Sequence, residues 1–176
     1  KLGWAVGAHG TSTMIGVLVT YLLIYMTDVL GIAAGVAGAI IFSARMYDLV
    51  TDPLMGYISD RTKTRWGRRR PYLLLGSFVC FIAFVALFNV PDIDSDTGMA
   101  FYAALLLVLF TTAYTIFNVP YLAMPAEMTD SYNERTSMMG YRVVFFTTAN
   151  LGLFLGGALL LKTYGPEQGY AMMGWI

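Results

Sequence analysis

Residues 98–126 read GMAFYAALLLVLFTTAYTIFNVPYLAMPA, a run without a single Asp, Glu, Lys or Arg. A helix needs about 20 mainly apolar residues to cross the hydrocarbon core of a bilayer, and this run exceeds that length. Residues 2–27 and 71–90 are just as free of charge. Of the 176 residues, 57% are hydrophobic and only 12% are charged, whereas a soluble domain carries roughly 25% charge. The fold class that follows is an all-α, multi-pass membrane protein.

Outward from that run, spans fall at residues 2–27, 31–58, 71–90, 98–126 and 136–161, and a sixth begins near Gly169. The opening apolar stretch is too long for a signal core and leads into further spans. Trp4, Tyr25, Trp66, Tyr72, Tyr164 and Trp175 lie near span ends and are expected as interfacial anchors. Gly152 and Gly156 are expected to let the fifth helix approach a neighbour closely.

The loop at 59–70 holds Arg61, Lys63, Arg65, Arg68, Arg69 and Arg70, six of the eleven basic residues. The next loop holds Asp92, Asp94 and Asp96 and no base. The positive-inside rule makes the basic loop cytoplasmic. The N-terminus is then cytoplasmic too, as is the loop from Glu127 to Arg135. A polybasic loop can also attract anionic lipid, but topology alone accounts for this one. Net charge is zero, which leaves no whole-chain footprint for nucleic acid. Cys80 is the one cysteine, so no intrachain disulfide forms. The sequence has no Cys/His metal spacing, Walker loop or Ser-His-Asp set, and His9 is its one histidine. No enzyme activity and no cofactor are expected.

Arg45, Asp48 and Asp52 fall inside the second span. Each costs on the order of 2.5–3.5 kcal/mol at the centre of a membrane helix. Their spacing puts all three on one helix face, at about 3.6 residues per turn. The two carboxylates are one turn apart, about 5–6 Å between Cβ atoms, and repel each other unless a cation lies between them. The pair suits a hard monovalent cation or a transferable proton, with Arg45 neutralising one carboxylate when the cation is away. The competing reading is an ion-pair network that fixes helix two to a neighbour. In the fourth span Tyr114, Asn118 and Tyr121 share a face, Thr115 lies beside them, and Pro120 is expected to kink the helix. Arg142 is a lone charge inside the fifth span, its plainer reading being a snorkelling side chain. His9, Thr13, Gly16 and Thr20 form a stripe in the first span, with Ser12 next to it.

The segment from Arg45 through Asp48, Asp52-Pro53, Gly56, Asp60 and Arg61, running into Arg65-Trp66-Gly67-Arg68-Arg69-Arg70-Pro71, closely resembles the glycoside–pentoside–hexuronide:cation symporters. Tyr25-Met-Thr27-Asp28, Tyr114 to Pro120, and Arg142 with Phe145-Phe146 extend the resemblance over nearly the whole chain. The resemblance implies the N-terminal six-helix half of a major facilitator fold, as five full spans plus the start of a sixth. It implies that Asp48 and Asp52, with Thr115, bind a coupling Na⁺, Li⁺ or H⁺. Arg45 and Arg142 would join the polar network around cation and substrate, with Tyr114 and Asn118 on the neighbouring face and Thr11 and Ser12 on the first helix. Gly56, Asp60, Arg61, Arg68 and Arg69 would form the cytoplasmic gate.

Three departures bear on substrate. Melibiose-carrying members of that family have a Lys-Asp pair where this chain has Thr11 and Ser12, and a helix-four aspartate where it has Asn118. A sugar-stacking tryptophan is Leu122 here. The substrate expected is therefore a sugar, glycoside or uronate, with an amphiphilic lipid-like molecule as the alternative. The expected partners are the bilayer, a small-molecule substrate and a C-terminal half of the same transporter. The alternative is a structural or accessory subunit packed against other membrane subunits. A bacterial inner membrane is the expected location.

Overall fold

The uncharged runs become helices, and some of the helices outrun them. The computed structural model describes residues 2–91 and 95–175, Glu167 by its backbone. Helix α1 (Leu2–Ile24) continues into a π-helical turn, Tyr25–Val29, and stops at Gly31, whose φ of +67° suits a residue without Cβ. Then come α2 (Ala34–Arg61), α3 (Arg70–Phe88), α4 (Asp96–Met128) and α5 (Tyr132–Trp175). Pro71 fits the start of α3, where a missing N–H is harmless. Ser95 caps α4 by accepting from the Gly98 amide at 3.3 Å. Helix α5 breaks at Gly165 (φ 79°, ψ 173°), and Pro166 opens its second limb. The sixth span therefore starts before the expected Gly169, at the Gly-Pro step.

Other boundaries move for one reason. Charge marks where an apolar run ends, but a helix persists past that point once its polar residues reach water. The second span thus runs to Arg61 and the fourth from Asp96 to Met128. Among the described residues four segments are long and apolar enough to cross a bilayer: Leu2–Val29, Arg70–Phe88, Asp96–Met128 and Tyr132–Pro166. Helix α2 has 28 residues, ample length, but Arg45, Asp48 and Asp52 reduce its hydropathy. The acidic positions Asp92 and Asp94 lie outside the described residues, while Asp96 sits in the first turn of α4.

Helix α4 packs along α2 and α3, and α1 packs on α5, whose length also touches α3. Phe84, Phe88 and Phe110 anchor one buried cluster with Val17, Leu22 and Met26. A second, smaller cluster joins Trp4, Ala5 and Ala8 to Tyr121 and Met138. Helices in lipid associate through close van der Waals fit, which small residues permit. At Gly76 a Cβ would lie 2.7 Å from the Phe117 backbone nitrogen, so α3 and α4 cross there backbone to backbone. Gly16 and Gly157 are comparably tight against Leu153 and Tyr21. Gly152 and Gly156 are not, since a Cβ at either would meet nothing within 4 Å. Within the described residues, then, no helix crosses close to that pair.

Two expected interfacial anchors are inside the bundle instead. Trp4 and Tyr25 are 7% and 2% exposed. Trp4 stacks on Tyr121 at 4.9 Å, and Tyr25 packs against Phe88 and Tyr170. Position near a span end does not separate an aromatic that meets headgroups from one that meets another helix.

Candidate functional site

The site begins on α2, whose middle turns carry its charges. Arg45 reaches Asp48 at 3.5 Å, a loose pair with Arg45 about half exposed. Pro53 interrupts the backbone ladder next to Asp52, freeing a carbonyl one turn earlier. Asp52 accepts a hydrogen bond from the buried Thr115 hydroxyl on α4 at 2.7 Å. Along the same seam Thr112 donates to the Tyr47 hydroxyl at 3.1 Å, so two side-chain bonds fix the register of α2 on α4.

The pair of aspartates remains undercompensated. Asp48 and Asp52 repel each other, and Asp48 keeps one carboxylate oxygen buried without a hydrogen-bond partner. Leaving such an oxygen unsatisfied costs on the order of 1–3 kcal/mol, more for a charged group. Two carboxylates and a hydroxyl make an all-oxygen donor set, which suits a hard cation rather than a soft transition metal.

Arg142 on α5 is half-buried, and its Nε is buried and unpartnered. Among the described residues no carboxylate pairs with it. Its charge acts on the Tyr114 and Tyr121 hydroxyls, and Tyr114 also feels Arg45 and Asp52. Tyr114 therefore stands electrostatically between the α2 charges and Arg142, with half-buried Asn118 one turn along the same helix. Thr11 and Ser12 are not drawn into this network. Their hydroxyls donate back to α1 carbonyls, Ser12 to Ala8 at 2.6 Å and Thr11 to Gly7 at 3.2 Å.

A second charge cluster closes the basic-loop end. Arg69, 9% exposed, pairs with Asp60 at the end of α2 (2.7 Å) and with Glu127 at the end of α4. Arg68 also binds Glu127 and donates to the Asp60 carbonyl at 3.3 Å. Its bond to the Glu127 carboxylate, with the accompanying charge, raises the Arg68 guanidinium above its ordinary value. Of the expected gate residues, Asp60, Arg68 and Arg69 are thus brought together. Arg61 lies over the Tyr57 ring at 4.0 Å instead, and Gly56 faces Val119 of α4.

The profile of the family described as MFS/sugar transport protein matches residues 3–176. The chain belongs to that family. Among curated relatives, this MFS chain is 38% identical to the putative glycoside/cation symporter YagG of Escherichia coli, over 91% of the chain and 34% of the relative. It is 34% identical to the inner membrane symporter YicJ of the same organism, over 86% of the chain and 33% of the relative. It is 35% identical to the sodium-dependent lysophosphatidylcholine symporter 1 of Mus musculus, over 96% of the chain and 32% of the relative. The MFS chain thus spans 32–34% of the length of these relatives. It is an integral, multi-pass membrane protein with the all-α architecture of an MFS half.

Two contributors to the MFS chain's polar clusters were not evident from sequence. Glu127 reads only as the start of a loop, yet it is the acid on which two arginines converge. Its signal was available, as the first acid after a long uncharged run on the side where the bases lie. Tyr47 carries no such signal, since nothing local marks its hydroxyl as facing Thr112.

Proposed function

We infer that this chain is the N-terminal half of a symporter that couples Na⁺ or H⁺ movement to uptake of a sugar, glycoside or uronate. The observation that carries this reading is the aspartate pair of α2. One carboxylate is oriented by Thr115, while the other keeps an orphan oxygen beside a loosely placed arginine. A cation between Asp48 and Asp52 would cancel their repulsion and satisfy that oxygen. Arg45 would then be released toward substrate or solvent. With the charge neutralised, closing the halves around the site costs less, which is how cation binding would favour the rocking of one half against the other.

Arg142 points to the substrate class. A half-buried guanidinium with an unpaired Nε and no carboxylate partner among the described residues favours a ligand that brings an anion. A uronate does so, and a neutral glycoside does not. A second reading rests on the lysophosphatidylcholine symporters among the relatives, which are named for a phosphate-bearing amphiphile. It places the same arginine on a phosphate. The basic loop lies on the cytoplasmic side of a bacterial inner membrane in either case, with the N-terminus on that side.

The test is uptake into proteoliposomes by the intact transporter, with and without an inward Na⁺ gradient. Asp52→Asn is expected to insert normally, to retain facilitated equilibration and to lose gradient-driven accumulation. Accumulation at the unsubstituted level would overturn the cation assignment. Arg142→Gln is expected to weaken competition by uronates far more than by neutral glycosides. Equal weakening of both would remove the anionic substrate.

A further inference from the structure

The basic loop holds more arginine than its ion pairs engage. Arg68 and Arg69 are bound to Asp60 and Glu127, but Arg65 and Arg70 have no carboxylate partner among the described residues. All four line one cavity of about 790 Å³, where Glu127 is the sole acid. The rest of the side-chain lining is largely apolar. It is made by Leu74 near the start of α3 and by Met124 and Met128, one turn apart at the end of α4. Leu74 is 61% exposed, and Trp66, which also lines the cavity, is 67% exposed.

The loop that presents these groups is built rather than trailing. Gly67 takes a φ of +98°, a conformation that favours glycine, and its amide donates to the Thr64 carbonyl at 3.1 Å. The Thr64 hydroxyl donates back to the Gly67 carbonyl at 2.5 Å. The first turn of α3 opens on the same cavity without an acidic residue or a side-chain cap. Topological sorting requires only a count of positive charges. It does not require a cavity lined by both cationic and apolar side chains.

We propose that this cavity binds an anionic phospholipid of the leaflet on the basic-loop side. Arg65 and Arg70 hold its phosphate, and an acyl chain lies along Leu74, Met124 and Met128. A free anion would use only the arginines. A zwitterionic lipid brings an ammonium against an excess of guanidinium. An anionic phospholipid matches both kinds of lining, and the exposed Trp66 beside them is the residue type that meets lipid headgroups. This site is separate from the aspartate pair, so it stands or falls independently of cation coupling.

The experiment reconstitutes the intact protein into phosphatidylcholine vesicles containing a minor fraction of phosphatidylglycerol. Retained lipid is then counted by native mass spectrometry after mild detergent extraction. The unsubstituted protein is expected to enrich phosphatidylglycerol over phosphatidylcholine. Arg65→Gln and Arg70→Gln are each expected to weaken that retention about fivefold, the effect of one basic residue at an anionic surface, and together more than tenfold. The single variants leave the other loop bases in place, so insertion and topology are preserved even if the double variant misfolds. Equal retention of the two lipids, or retention unchanged in both single variants, would overturn the proposal. So would thermal stabilisation by inorganic phosphate in pure phosphatidylcholine vesicles equal to that given by phosphatidylglycerol, which would make this a site for a free anion.

Discussion

At the basic-loop end, Arg69 sits almost out of solvent with Asp60 on one side and Glu127 on the other, and Arg68 doubles the second contact. Halfway along α2, Arg45 touches Asp48 only at 3.5 Å, an Asp48 oxygen is orphaned, and Arg142 keeps a buried Nε unpaired. The two clusters use the same residue types. They differ in completeness. A finished network has little left to offer a ligand and acts as a clasp between helices. An unfinished one keeps lone pairs and N–H groups in reserve, which is what a binding site requires. Charge inside or beside a membrane therefore does not by itself signal function; the unsatisfied atoms do.

The contrast can be broken by experiment, and the largest effect belongs to the clasp. Arg69→Ala leaves Asp60 and Glu127 facing each other without their shared cation. It is expected to cost about 3 kcal/mol, the lower end for a broken buried pair because both acids keep some water. The measurement is thermal unfolding in detergent, and a loss indistinguishable from that of an exposed substitution would dissolve the distinction between the clusters. Next comes Thr115→Val, which removes a hydrogen bond to an ionised carboxylate and is expected to weaken apparent Na⁺ affinity by about 2 kcal/mol, with little change in stability. Thr115→Ser should recover most of that affinity. A valine variant that unfolds early but binds Na⁺ normally would make Thr115 part of a structural lock instead.

Smaller effects sharpen the same comparison. Arg68→Ala removes the more exposed arm of the clasp and should cost much less than Arg69→Ala, an effect that added salt diminishes. Arg45→Gln should be smaller still, about 0.5 kcal/mol or less in stability, because the Arg45–Asp48 contact is long and half in solvent. A stability loss for Arg45→Gln rivalling that of Arg69→Ala would mean that the α2 charges form a clasp as well.

Much of this was legible from residue order. Uncharged runs located the helices, and the spacing of Arg45, Asp48 and Asp52 placed them on one face. The loop composition singled out Arg68 and Arg69. What escaped was whatever depends on a partner far away in sequence. Glu127 gained its role from arginines nearly sixty positions earlier, Trp4 from Tyr121 on another helix, and Gly157 from Tyr21. The π-helical turn at Tyr25–Val29 also left no mark, since one extra residue in a helical turn does not change composition. Gly152 and Gly156 carry a packing pattern against which no helix lies among the described residues.

The Trp4–Tyr121 contact has a mechanical corollary. The indole N–H donates to the Tyr121 carbonyl at 3.1 Å, and the Tyr121 hydroxyl donates to the Trp4 carbonyl at 2.9 Å. The main core joins α1 to α3 and α4 further along, through Val17, Leu22, Phe84 and Phe110, so this two-way rivet ties the same helices together a second time, at the start of α1. It sits beside Pro120, where α4 is least able to resist bending. Any flexing of α4 at that point must therefore drag the near end of α1 with it, so the two helices bend together there.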